Sequence, residues 1–205
     1  MPVRTALLVF DGCDLLDVGG PYEVLLTVNR LAERNGDDAP FEVVTVAPDD
    51  RPLAAYGGLG LRAQTTAADL GPVDLVVVPG LIDLDAALSD DALVATVADL
   101  AGRAEVTASV CTGSFLLAAA GVLRGRRATT HHEDATLLAA RGDVGEVVTG
   151  RRWVDDGEVV TGAGLSSGIA LGLHLVDRFA GRELAVATAR QIEHAWDPDG
   201  RDQVV

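Results

Sequence analysis

Short apolar segments rich in valine and leucine alternate along this chain with longer segments in which apolar residues recur every three or four positions. The first kind of segment covers residues 5–10, 41–46, 74–78 and 106–110. Near-continuous apolar runs of this length are typical of parallel strands buried on both faces, and the longer spacing is typical of amphipathic helices. The alternation predicts an α/β fold: a three-layer sandwich with a mostly parallel central sheet covered by helices on both faces. We expect residues 1–205 to form a single domain.

Most of the segments that separate these strands are predicted to be helices. The first helix is predicted to begin at Pro21, because proline suits the first helical turn, and to run to about Arg34. Three glycines within residues 53–63 indicate a hairpin or short strands. Later helices are predicted at residues 90–102, 114–121, 134–141, 166–179 and 182–196, and short strands at residues 128–130, 147–149, 152–154 and 158–161.

Three polar turns come directly after predicted strands, at residues 11–17, 79–80 and 111–112. In open parallel sheets, ligands bind outside the carboxyl ends of the strands. We therefore expect these three turns to form one shared site.

Cys111 stands at the end of the strand 106–110 and is followed by a Thr-Gly turn and an apolar helix. This is the layout of a nucleophile elbow with a thiol in place of a serine hydroxyl. A helix N-terminus favours thiolate over thiol, so Cys111 is expected to be an acidic, exposed nucleophile. The alternative is a cysteine that serves only as a small buried hydrophobe.

The backbone N–H groups of Thr112 and of the turn at Gly80 are candidates for an oxyanion hole. The hydroxyl of Thr112 has two equally open roles: it can bond a substrate atom, or it can cap the following helix.

Three carboxylates, Asp14, Asp17 and Glu23, compete for the role of acid or base near the thiol. A carboxylate that faces a thiolate is repelled by it, so one member of the pair should hold a proton. A protonated Asp17 could hydrogen-bond the thiolate and act as general acid. Its alternative role is to cap the first helix.

The histidines offer no partner adjacent to Cys111 in sequence. His131 and His132 follow a short predicted strand, where one of them could contact substrate or both could lie on the surface. His174 falls in an apolar helix and is expected to be a core histidine. The Cys and His spacing matches no zinc or iron site, and we expect neither a metal nor a cofactor.

The formal net charge of −15 argues against nucleic acid and anionic membranes as partners, because both require a basic surface. No apolar run is long enough to span a membrane, and the N-terminus lacks the features of a signal peptide. We expect a cytoplasmic protein that acts on a small molecule. Its two cysteines do not resemble a disulfide framework.

Several motifs together resemble the ThiJ/PfpI superfamily, whose fold is like that of class I glutamine amidotransferases. They are Asp17-x-x-Gly20-Pro21-x-Glu23-Val24, Val77-Val78-Pro79-Gly80, Cys111-Thr112-Gly113-Ser114-Phe115, Arg127-Ala128-Thr129-Thr130-His131 and Gly162-Ala163-Gly164. The resemblance covers nearly the whole chain and implies a flavodoxin-like version of the three-layer sandwich. Asp17 and the Cys-Thr-Gly elbow are most similar to the isonitrile hydratase branch, whose members are homodimers that convert isonitriles to N-substituted formamides.

This resemblance implies that Cys111 attacks the isonitrile carbon to form a thioimidate, while Asp17 relays protons. It implies that Thr112 positions Asp17 or the substrate nitrogen. The residues implied to bind substrate are Gly80, Leu81, His131 and Gly164. Leu81 and His132 depart from the family, which usually has a second glycine and an aromatic residue at these positions, so the substrate itself stays open.

Other readings belong to different classes. PfpI-type peptidases and glyoxalase-like enzymes usually have His after the cysteine and Glu in the first loop, so Thr112 and Asp17 disfavour them. A non-catalytic or redox-sensing protein would use Cys111 as an oxidisable thiol. The same motifs occur in regulators with a C-terminal DNA-binding module, which we do not expect here.

Overall fold

The computed structural model describes residues 1–201. The strands are β1 (Val3–Leu8), β2 (Phe41–Ala47), β3 (Leu53–Ala54), β4 (Gly60–Leu61), β5 (Thr65–Thr66), β6 (Leu75–Val78), β7 (Val106–Ser109), β8 (Arg127–Ala128), β9 (Glu146–Val147), β10 (Trp153–Asp155) and β11 (Val159–Gly162). The helices are α1 (Leu15–Arg34), α2 (Leu84–Leu88), α3 (Asp91–Arg103), α4 (Gly113–Ala119), α5 (Ala135–Ala140), α6 (Ser167–Ala180) and α7 (Arg182–Gln191), with a short 3-10 helix at His132–Asp134.

The central sheet has seven strands in the order β10-β11-β7-β6-β1-β2-β5. Its neighbouring strands are parallel except for β10, which is antiparallel to β11. The predicted mostly parallel sheet is thus confirmed. From β1 the chain moves outward to β2 on one side, and later from β6 to β7 and β11 on the other. The strand order therefore reverses between β1 and β6, which is where sheets of this kind bind ligands.

The helices form two groups on the sheet. Helices α1, α6 and α7 pack on one another, and α2, α3 and α4 pack on one another. Fully buried leucines and valines fill the space between helices and sheet, for example Leu7 and Leu75 in the strands and Leu25 in α1. Each such side chain contributes roughly 1.5–3 kcal/mol by leaving water. The three-layer α/β sandwich is confirmed.

The predicted start of the first helix at Pro21 is wrong, because α1 begins at Leu15. Pro21 lies inside the helix, where its missing N–H leaves the carbonyl of Asp17 without the usual donor four residues later. The proline packs closely against α6: a Cβ added at Gly172 would lie 3.2 Å from Pro21 Cα. The N-cap residue at the true start is Asp14, whose side chain makes no capping hydrogen bond.

Smaller differences concern the ends of elements. Residues 53–63 form the predicted hairpin as β3 and β4. The last helix ends at Gln191 rather than at residue 196, because Glu193 adopts a left-handed φ of 54°. His174, expected in the core, is partly buried: its ring stacks 3.6 Å from that of Trp153, and its Nε2 lies 2.8 Å from Asp155 Oδ2. Within residues 1–201, no helix combines the length and apolar character needed to cross a membrane.

Candidate active site

Cys111 occupies a sharp turn between β7 and α4. Its φ of 55° lies in the left-handed region, which residues other than glycine rarely adopt. The Cys111 N–H donates to the carbonyl of Ala163 at 2.9 Å, which ties the turn to the segment after β11. Gly113 begins α4 directly beneath β6, and a Cβ there would overlap the carbonyl oxygen of Val78. The strand–turn–helix arrangement predicted for this segment is present.

The Cys111 thiol is buried, with only 4% of the residue exposed. Burial, with a further contribution from the charge of Asp17, raises the pKa of Cys111 to about 11. Hydrogen bonds from the backbone N–H groups of Leu165 and Thr112 lower this pKa, but by less than burial raises it. The expected acidic, exposed thiolate is therefore wrong, because loss of solvation outweighs the donors at the elbow.

Asp17 lies in the first turn of α1 and is completely buried. Its Oδ2 accepts a hydrogen bond of 2.9 Å from the N–H of Gly80, so the carboxyl group does not cap its own helix. Burial raises the pKa of Asp17 to about 7; the Gly80 bond lowers it and the nearby charge of Asp14 raises it. Asp17 is thus a carboxyl group that holds and releases a proton near neutral pH.

Asp14 lies beside Asp17, and polar atoms of Asp14, Asp17 and Cys111 all lie within 4.8 Å of one another. Asp14 is 7% exposed. Burial raises its pKa, and the charge of His131 lowers it. Glu23, the third carboxylate considered, is exposed on α1 and does not reach this cluster.

Thr112 bridges the elbow to the turn after β6. Its Oγ1 accepts a hydrogen bond of 2.8 Å from the Leu81 N–H and donates one of 2.6 Å to the Leu81 carbonyl. It makes no helix-capping hydrogen bond, so the capping role is wrong. The N–H groups of Gly80 and Leu81 are therefore taken by Asp17 and Thr112, which corrects the expected oxyanion hole at this turn. The N–H groups that face the sulfur belong to Thr112 and Leu165, and Leu165 had no signal in the sequence.

Gly80 stands at the centre of the site and leaves no room for a side chain. A Cβ there would lie 2.7 Å from Asp17 Oδ2, 2.8 Å from Thr112 Oγ1 and 2.9 Å from Cys111 Cβ. The three polar turns at the ends of β1, β6 and β7 therefore meet at Gly80. The sequence predicts that these three turns share one site, and they do lie together in the structure.

Of the two neighbouring histidines, His131 faces the site and His132 is exposed. The side chain of His131 is 19% exposed, and its Nδ1 lies 3.6 Å from Asp134 Oδ2. Its ring packs on Gly164, where an added Cβ would overlap the ring. Gly164 and His131 thus form one wall next to Asp14.

Asp14, Asp17 and Cys111 also form a group with enough closely spaced donor atoms to hold a metal ion. Metal ligands must be deprotonated, and burial raises the pKa of all three groups. Protons therefore compete strongly with a cation here, and we continue to predict no metal.

Known proteins resemble this chain in sequence and in fold. Residues 3–178 match the DJ-1/PfpI family. An isonitrile hydratase from Pseudomonas putida is 32% identical over 198 residues, which cover 97% of this chain and 81% of that protein. The crystal structure of a ThiJ/PfpI family protein from Pseudomonas syringae superimposes with a TM-score of 0.82 at 29% identity, covering 97% of this chain and 77% of the other.

Regulatory proteins share the same fold. The HTH-type transcriptional regulator GbdR of Pseudomonas aeruginosa is 27% identical over 187 residues, which cover 91% of this chain and 49% of that protein. The similarity thus extends to a hydratase and to part of a regulator. By its sequence match and its fold, the chain belongs to the DJ-1/PfpI family.

Proposed function

We propose that this protein is a lyase, a cysteine-dependent hydratase that adds water to an isonitrile and releases an N-substituted formamide. Cys111 is the nucleophile, Asp17 carries protons, and Thr112 holds the turn at Gly80 and Leu81 in place. Gly80, Leu81, His131 and Gly164 surround the substrate. No cofactor takes part.

The reaction has two halves. In the first, the sulfur of Cys111 bonds to the isonitrile carbon, and the one proton shared by Cys111 and Asp17 moves to the same carbon, giving a thioimidate. In the second, the oxygen of water bonds to that carbon, the nitrogen gains a proton, and the carbon–sulfur bond breaks with its electron pair returning to sulfur. Water supplies both hydrogens that the formamide gains.

The observation that carries this proposal is the burial of Asp17 beside Cys111, with a pKa raised to about 7. An isonitrile carbon has a lone pair and becomes electrophilic once it is protonated. A site that delivers a proton together with sulfur suits this carbon. Cleavage of a peptide needs a cysteine thiolate activated by a base such as histidine. The raised pKa of Cys111 disfavours such a thiolate.

The test is to mix the purified protein with a simple aryl or alkyl isonitrile and follow loss of the isonitrile absorbance and appearance of the formamide. We expect turnover by the wild type and none by Cys111→Ala. Cys13→Ala is the matched control, because Cys13 is the other buried free cysteine of the described chain and the proposed reaction does not use it. No turnover by the wild type, or equal turnover by both cysteine variants, would reject the proposal.

A redox-sensing protein is the alternative from another class. Sensor cysteines are accessible and have a low pKa, whereas Cys111 is buried and its pKa is raised. Treatment with dilute hydrogen peroxide and mass analysis separates the two: selective oxidation of Cys111 without isonitrile turnover would favour the sensor.

The proposal takes the active form to be a homodimer in the cytoplasm. Leu15 and Leu16 precede Asp17 in the first turn of α1 and are 44% and 43% exposed, an apolar surface that a second copy would cover. Light scattering should give twice the 21.2 kDa of one chain. Fractionation of the source cells tests the compartment.

A further inference from the structure

Asp14 occupies the N-cap position of α1 but does not cap the helix. Aspartate is among the strongest N-cap residues, and the usual bond from its side chain contributes about 1 kcal/mol. The Asp14 side chain makes no such bond. It turns inward instead, leaving the residue 7% exposed, and its Oδ2 has no hydrogen-bond partner among the described residues. The helix thus gives up a stabilising contact to hold this carboxyl group inside the site.

The backbone of Gly80 bonds to both acidic residues at the start of α1. The Gly80 carbonyl accepts a hydrogen bond of 2.8 Å from the Asp14 N–H, and the Gly80 N–H donates one of 2.9 Å to Asp17 Oδ2. In an ordinary capping box the two residues would bond each other's backbone instead. Asp17 Oδ1 is also buried without a partner in the described part of the chain. Two unpaired carboxyl oxygens are therefore buried in a cluster where polar atoms of Asp14, Asp17 and Cys111 lie within 4.8 Å of one another.

The second half of the proposed reaction needs two proton transfers at different atoms: water loses a proton while the nitrogen gains one. Asp17 is a carboxylate at that stage, because its proton has gone to carbon, so it can accept but not donate. We propose that Asp14 is a second catalytic acid, which protonates the substrate nitrogen while Asp17 takes the proton from water. This inference rests on the proposed hydration.

The protons balance over the whole cycle. It begins with two protons distributed over Cys111, Asp17 and Asp14: one is shared by Cys111 and Asp17, and the other passes between the two neighbouring carboxyl groups and lies on Asp14 when the nitrogen is protonated. The shared proton goes to carbon as the carbon–sulfur bond forms. Water then bonds to carbon, giving one proton to Asp17, while Asp14 gives its proton to nitrogen. When the carbon–sulfur bond breaks, the remaining hydroxyl proton passes to Asp14, the formamide leaves, and the starting state returns.

The experiment is rapid mixing of Asp14→Asn with the same isonitrile, followed by intact-protein mass measurement. General acid catalysis contributes about 10²–10⁴-fold, so hydrolysis should slow at least about 100-fold while thioimidate formation continues. We expect a covalent adduct of one isonitrile on Cys111 to accumulate. Asp38→Asn is the control: it makes the same change at an exposed loop residue and should turn over like the wild type.

The outcomes separate the two proposals. Turnover by Asp14→Asn at the wild-type rate, or loss of adduct formation and hydrolysis together, would overturn the role of Asp14 while leaving the hydratase intact. No turnover and no adduct with the wild type would reject the hydratase and this inference with it. If Asp14→Asn does not fold, Asp14→Ser makes the same test, because serine also suits a helix N-cap.

Discussion

Two strand-to-helix junctions deliver the reactive groups to Gly80, and they are built differently. Between β7 and α4 the chain reverses within residues 110–112, and Cys111 takes a left-handed backbone conformation. Between β1 and α1 it passes through the longer loop 9–14, which is held by hydrogen bonds to the β3–β4 hairpin. Gly12 N–H donates to the Ala54 carbonyl at 2.8 Å.

The difference lies in which part of each residue is held. Cys111 is held through its backbone, by its left-handed φ and by its N–H, which donates to the carbonyl of Ala163 at 2.9 Å. Asp17 is set by its bond to Gly80, 63 residues later in the chain. A rigid turn thus presents the sulfur, and a packed helix brings the acids to it.

The largest effect expected concerns the cost of burying Asp17. Its pKa rises from 3.8 to about 7 on folding, so the folded state keeps a proton that the unfolded state loses. The Asp17 contribution to stability is complete below pH 3.8 and is lost as pH rises through about 7. Asp17→Asn lacks this titration. Between pH 3.8 and about 7, the wild type should therefore lose about 4 kcal/mol of unfolding free energy relative to Asp17→Asn.

Urea unfolding at several pH values between 4 and 8 measures this difference. Asp38→Asn at the exposed loop should show no comparable trend. Parallel pH curves for the wild type and Asp17→Asn would mean that Asp17 is not buried as a neutral acid.

The two junctions also differ in how far the sequence predicts them. The elbow was predicted correctly because a strand, a cysteine and a glycine turn lie together within a few residues. At the first junction, the proline rule placed the helix start at Pro21 rather than at Leu15, because the packing of Pro21 against α6 is a tertiary contact that the sequence does not reveal. The pKa of Cys111 was mispredicted because burial depends on strands and loops distant in sequence.

The same substitution, glycine to alanine, should have opposite effects on stability near the two junctions. Gly113→Ala places a Cβ on the Val78 carbonyl oxygen and 2.7 Å from that of Pro79, and neither backbone atom can move cheaply. We expect a loss of about 3 kcal/mol in the free energy of unfolding. Gly19→Ala in α1 meets nothing within 4 Å, and should stabilise by about 0.5–1 kcal/mol because alanine favours helix. Urea unfolding measures both changes. If the two substitutions changed the free energy of unfolding in the same direction, the two junctions would not differ in how tightly they are packed.

The smallest effect concerns the link between the two junctions. Thr112→Val keeps the shape of the side chain but removes the hydroxyl that bonds both the N–H and the carbonyl of Leu81. Two buried backbone groups then lack partners, and we expect a loss of about 2 kcal/mol in unfolding free energy together with slower isonitrile turnover. Ser114→Ala is the matched control, because the carbonyl that Ser114 bonds also accepts a hydrogen bond of 3.0 Å from Thr130. If Thr112→Val behaves like Ser114→Ala, the elbow and the Gly80 turn hold their positions independently of each other.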